Sequence, residues 1–75
     1  MEKTYLTDYR LITNNVEFDV PIHAMGPGDS VFIPCTDTIG VTKALGQLLA
    51  LHEAQGTMQE RIEAGCLGVR VWRVR

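Results

Sequence analysis

The chain has 75 residues, 45% of them hydrophobic and 21% charged, with a formal net charge of −2. That balance belongs to a folded domain rather than a disordered chain, and the length allows one domain, residues 1–75, burying only about 60% of the surface its unfolded form exposes. Two cysteines permit at most one intrachain disulfide, which excludes a secreted disulfide scaffold.

No apolar run approaches the roughly 18 residues of a membrane span. The N-terminal MEKTYLTDYR has neither the apolar core nor the small-residue cleavage site of a signal peptide. A cytoplasmic protein with free thiols and no membrane partner is expected.

In chain order, YLTDYRLIT (residues 5–13) mixes aromatic, β-branched and polar residues and predicts a first strand. Asn14-Asn15 follows, and asparagine tolerates the positive φ of a tight hairpin turn. VEFDV then alternates, with Val16, Phe18 and Val20 on one side and Glu17 and Asp19 on the other, the pattern of a half-buried strand. Pro21 ends or edges it. MGPGD, Met25 to Asp29, is a turn cluster, and SVFIP is a short apolar strand stopped by Pro34.

Asp37 or Thr38 supplies the N-cap of a helix over about 38–55. Val41, Ala44, Leu45, Leu48, Leu49 and His52 recur at helical spacing and define its buried face, with Ile39 and Leu51 expected to widen it. Gly56 is expected at the position just past the helix, and Gly46 to let the helix lie close to a sheet. TMQERIE alternates as a strand, AGCLG is a loop, and VRVWRVR closes the chain as the last strand. The order is β-β-β-α-β-β. It predicts an α+β fold: a small antiparallel sheet of four to five strands with one helix packed on one face.

Few residues suggest chemistry. His23, Cys35, His52 and Cys66 are separated by 12, 17 and 14 positions, without the closely spaced ligand pairs of a structural zinc site. HEAQG places a glycine where the helical metalloprotease pattern needs its second histidine. GPGDS leads into a strand and carries an aspartate, so it reads as a turn rather than a phosphate loop. Cys35 with either histidine lacks any nucleophile signature. The expectation is no enzyme, no cofactor and no metal.

Charge is uneven: residues 1–60 carry eight acidic and three basic side chains, residues 61–75 one and four. Arg61, Arg70, Arg73 and Arg75, with Trp72 between them, could neutralise phosphates and stack a base. Strand alternation divides them. Arg73 and Arg75 fall on the face of Val69 and Val71, whereas Arg70 falls with Trp72 and Val74. Arg70, Trp72, Arg73 and Arg75 are the candidate partner-binding residues. Arginine and tryptophan are the residue types that anchor interfaces.

GDSVFIP (Gly28 to Pro34) together with the terminal GVRVWRVR (Gly68 to Arg75) resembles small tailed-bacteriophage proteins with a Gly-acid-Ser-aromatic-aromatic-aliphatic-Pro strand, a helix and a closing Gly-x-Arg-Val-Trp-Arg strand. The resemblance spans roughly residues 26 to 75. It implies an origin and a fold more than an activity. The helix of those proteins is often rich in lysine and arginine, whereas VTKALGQLLALHEAQ is nearly uncharged. FDVPIHA (Phe18 to Ala24) with the terminal RVR is similar to the strands flanking the helix in a small coliphage class of host RNA polymerase inhibitors.

The resemblances imply a small non-enzymatic phage-type protein in an infected host cell. It would act by binding a host or phage protein, in an accessory or inhibitory role. Self-association is an expected companion, since a short chain gains stability by burying surface against its copy. The alternative is a nucleic-acid-binding accessory protein using the C-terminal Arg/Trp strand.

Overall fold

A computed structural model describes residues 3–7 and 10–75. Strands β1 (Thr4–Thr7), β2 (Arg10–Thr13) and β3 (Val16–Phe18) form one antiparallel sheet in that order. A 3₁₀ turn, Ile22–Ala24, leads to β4 (Ser30–Pro34), the helix α1 (Thr38–Leu51), β5 (Gly56–Glu63) and β6 (Cys66–Arg73). The last three strands form a second antiparallel sheet in the order β4-β6-β5. The fold is α+β, with two sheets of three strands sharing one helix.

Turn chemistry fixes the β2–β3 and β5–β6 hairpins. Asn14 and Asn15 both have positive φ, 52° and 60°, between Thr13 and Val16, which are directly opposed across β2 and β3. Ala64 and Gly65, at 51° and 80°, make the same kind of turn between β5 and β6. Two consecutive left-handed residues give the twist that antiparallel strands need. YLTDYRLIT is not one strand but two. Thr7 pairs with Arg10, and the intervening Asp8 and Tyr9 lie outside the described residues.

The core is a single cluster. Val41, Ala44, Leu45, Leu48 and Leu49 form the buried stripe of α1, as their spacing predicts. They meet Leu11 from the first sheet and Ile33, Val69 and Val71 from the second, all four at 2% exposure or less. Burying apolar area of this kind contributes about 25 cal/mol per Å2, and it is the main term holding so short a chain together. Val20, Ile22 and Met25, buried before and around the 3₁₀ turn, belong to the same cluster.

Four local expectations about the helix change. It ends at Leu51, not near residue 55. The amide of Ala54 donates to the Leu49 carbonyl and that of Glu53 to Ala50, a Schellman closure in which Glu53 takes the left-handed position at φ 53°. Gly56 instead opens β5 opposite Arg73, where a side chain would fall 2.4 Å from the Trp72 carbonyl oxygen. Ile39 and Leu51 are 74% and 55% exposed and do not extend the buried stripe. At Gly46 a methyl group would meet only the Met58 terminal carbon at 3.9 Å, so close approach does not demand glycine there.

A polar chain fastens the first sheet to the helix. Asp37 is the N-cap and accepts the Gly40 amide at 3.1 Å. It also accepts the Thr4 hydroxyl of β1, whose oxygen lies 2.9 Å from that of the buried Thr13 in β2. These two donors, with Lys43 nearby, hold the Asp37 carboxyl below the usual carboxylate range.

Candidate functional site

The second sheet has two unlike faces because side chains alternate along β6. Val69 and Val71 point to the helix and are fully buried. Arg70 and Trp72 point the other way. Register places Phe32 and Gln59 beside Arg70, and Ser30 and Thr57 beside Trp72. Arg61 and Glu63 of β5 share this second face by the same alternation. Among the described residues no helix or strand lies over it, so Phe32, Arg70 and Trp72 remain half-exposed on a flat surface.

An ordered ladder of rings and cations crosses that surface. The Arg70 guanidinium lies 5.7 Å from the Phe32 ring centre, and Arg61 lies 5.6 Å from Trp72. These are cation–π distances. Glu63 sits between the arginines. It accepts Arg70 Nε at 2.7 Å and Nη2 at 2.6 Å, a bidentate pair, while Arg61 Nε stands 3.4 Å away. Arg70 Nη1 donates to the Ser30 hydroxyl at 2.7 Å, which fixes the fork across all three strands. Arg70 holds the Glu63 carboxyl below its ordinary range, and Glu63 in turn holds Arg70 more firmly protonated.

Gly68 makes this packing possible. A side chain there would fall 2.6 Å from Phe32 Cζ and 2.3 Å from the Ile33 carbonyl oxygen, so the aromatic ring lies directly over bare backbone. The ring buries that backbone and is held in place beside Arg70.

The four residues singled out by sequence are divided by the fold. Arg70 and Trp72 share the open face. Arg73 is on the helix side, where its Nη1 donates to the carbonyls of Ile22 and Met25, and so clasps the 3₁₀ turn. Arg75 exchanges backbone hydrogen bonds with Gln55 beyond the end of β6. Arg61, offered by the sequence as a phosphate-neutralising residue but not among the four partner-binding candidates, joins Trp72 across the sheet. Phe32 and Glu63 were not singled out. TMQERIE reads as an alternating strand and SVFIP only as a short apolar one, and the register joining β4, β5 and β6 was required to bring Glu63 and Phe32 to Arg70.

No protein-family model, curated protein or solved structure matches the chain. The residues themselves carry what can be said of its chemistry.

The remaining sequence candidates fall elsewhere. Asp29 accepts the Gly26 amide at 2.9 Å, so within GPGDS a carboxylate already occupies an amide that an anion would use. Cys35 and Cys66 line a groove of about 280 Å3 with Val16, Phe18, Pro34 and Leu67, and among the described residues no histidine, acid or base lies on its wall. Cys35 precedes the N-terminus of α1 and His52 caps its C-terminus. The helix length, roughly 20 Å, separates them, which argues against a nucleophile–base pair. Among the described residues no group of three or more potential metal ligands occurs, and no helix is long and apolar enough to cross a membrane.

Proposed function

We propose that this chain is a small non-enzymatic, phage-type protein-binding module that acts in the cytoplasm of an infected cell. It docks the open face of its second sheet on a host or phage protein. The observation carrying this reading is the Phe32–Arg70–Glu63–Arg61–Trp72 ladder, left uncovered and held rigid by its own hydrogen bonds. Half-buried aromatics flanked by oriented arginines have the composition of interface hot spots. Prior ordering of long side chains lowers the entropy cost of binding. The partner surface that complements it offers apolar side chains to the rings and a carboxylate to Arg61, which Glu63 holds only at 3.4 Å.

Nucleic acid is the competing occupant, since Trp72 and Phe32 present ring faces on which a base could stack. Glu63 weighs against it. Its carboxylate neutralises Arg70 and stands between the two arginines of that face, where phosphate contact would need free cations.

Affinity capture from bacterial lysates, with wild type and Trp72→Ala compared, tests the proposal. Loss of a deeply seated tryptophan at an interface weakens binding about 30-fold or more. The expected result is a stoichiometric protein retained by wild type and lost by the variant, with the two melting alike. Equal capture by both, or capture of nucleic acid alone with a steep salt dependence, would overturn it.

A further inference from the structure

We propose that the free edge of β5 pairs antiparallel with the β5 edge of a second copy of this chain, joining two three-stranded sheets into one sheet of six. The Arg73 amide donates to the Asp29 carbonyl, its carbonyl accepts the Gly28 amide, and the Leu67 carbonyl accepts the Cys35 amide. The odd-numbered residues of β6 therefore bond toward β4. Backbone groups of successive residues point to opposite sides of a strand, so Gly68, Arg70 and Trp72 bond toward β5, where Arg61, Gln59 and Thr57 oppose them. Gly56, Met58, Glu60 and Ile62 turn their amides and carbonyls outward, and among the described residues no further strand takes them up.

This edge is unlike the others. β5 runs opposite β6 from Gly56 to Glu63 with an unbroken register and no proline. β4 has five residues and ends in Pro34, which lacks one of the outward amides, and the edges of the first sheet, β1 and β3, have four and three. Short strands and prolines keep an edge from pairing, whereas a long regular edge invites it.

The segment that fits this edge is the edge itself. A two-fold axis perpendicular to the sheet opposes residues of the same face, so it passes through a single residue position. Centred on Glu60 or Arg61, it sets like charges directly opposite, which is destabilising. Centred on Gln59, it overlaps residues 56–62 of both copies, opposes Thr57 to Arg61 and Met58 to Glu60, and sets two side-chain amides, each both donor and acceptor, against one another. Centring further toward either end shortens the overlap. The Gln59 register makes about eight backbone hydrogen bonds from the outward-facing residues. Ile62, 73% exposed, then falls opposite Gly56 of the second copy, where the nearest side chain is Leu49. Both ladders stay on one side of the joined sheet, so the pairing stands independently of what docks there.

The register makes a test. The two Gln59 positions form a non-hydrogen-bonded pair with Cα atoms about 4.5 Å apart, within reach of a disulfide. The two Thr57 positions lie roughly 14 Å apart, out of reach. Gln59→Cys and Thr57→Cys are each combined with Cys66→Ser and oxidised with glutathione disulfide. All three sites are exposed, so the fold is kept. The expected result is a wild-type dimer in sedimentation equilibrium at about 0.1 mM, and a disulfide-linked dimer that forms at least about 10-fold faster for Gln59→Cys than for Thr57→Cys. Equal rates, or a wild-type dimer that Gln59→Cys fails to lock, would place the interface elsewhere and overturn the pairing. A wild type that stays monomeric would leave the edge to a strand of another protein and overturn it as well.

Discussion

The two sheets are attached to the same helix by different means. The first, built from strands of four, four and three residues, contributes Leu11 to the core, and a polar chain runs from Thr13 through Thr4 to the helix cap at Asp37. The second, with strands of five, eight and eight, presses Ile33, Val69 and Val71 onto the helix. Its outer face carries the charged ladder. Apolar packing is insensitive to pH and leaves no polar group behind when water is excluded. A hydrogen-bonded carboxylate is directional and titrates. The smaller sheet therefore relies on a pH-sensitive tether, whereas the larger one is held mainly by apolar packing, beside one hydrogen bond from the Thr38 hydroxyl to Glu60 of β5, and supports the candidate site.

The largest expected effect comes from Gly68→Ala in the second sheet. The added carbon meets the Ile33 carbonyl at 2.3 Å and the Phe32 ring at 2.6 Å, and a backbone carbonyl cannot turn aside as a side-chain tip can. Overpacking of this kind costs about 1–3 kcal/mol, which in so small a domain lowers the melting temperature on the order of 10 °C. Thermal unfolding followed by circular dichroism measures it. An unchanged melting temperature would show that β4 and β6 are not so closely apposed at Gly68.

Much of the inner face was legible in the sequence, because helical spacing from Val41 to Leu49 and alternation in VRVWRVR are one-dimensional signals of burial. The hairpin at Asn14-Asn15 was legible for the same kind of local reason. The division of YLTDYRLIT was not, since nothing in its apolar pattern distinguishes one strand from two short ones. The helix end was hidden because Glu53 adopts a conformation usually given to glycine, while a true glycine lies three residues on. The outer ladder depends on which strands are neighbours: Phe32 and Glu63 reach Arg70 only through the β4-β6-β5 order. His23 and His52, whose ring centres lie 5.9 Å apart, are hidden likewise, for they meet through tertiary packing alone.

Asp37→Ala should separate the two sheets. It removes the helix cap and the acceptor for Thr4 together, and loss of a cap of this type lowers the melting temperature by on the order of 5 °C. Hydrogen exchange should accelerate in β1 and β2 more than in β5 and β6. Uniform acceleration would mean that the polar chain does not bear on the first sheet in particular. The same residue sets an acid limit. Because folding depresses its pKa, Asp37 adds stability that is fully present above the unfolded value, near 4, and is lost as pH falls through the folded value. Glu63 carries the same sign on the outer face, where its protonation releases Arg70. Wild type should therefore lose stability below about pH 4 more steeply than Asp37→Ala, and parallel acid profiles would remove Asp37 from the account.

The smallest effect tests the joint between helix and second sheet. Glu53 sits at φ 53°, where an L side chain costs about 1–2 kcal/mol, and the Schellman hydrogen bonds at Ala50 and Leu49 hold it there. Glu53→Gly relieves that cost but adds freedom to the unfolded chain worth about 0.4–1 kcal/mol. The balance is a gain of roughly 0.5 kcal/mol, or about 2–4 °C in melting temperature. The gain should be the same in the Asp37→Ala background, because the two ends of α1 share no partner and distant, independent changes add. A gain that vanishes when Asp37 is replaced would mean the two sheets do not respond to the helix separately, and the contrast between a polar tether and an apolar one would fail at the element that joins them.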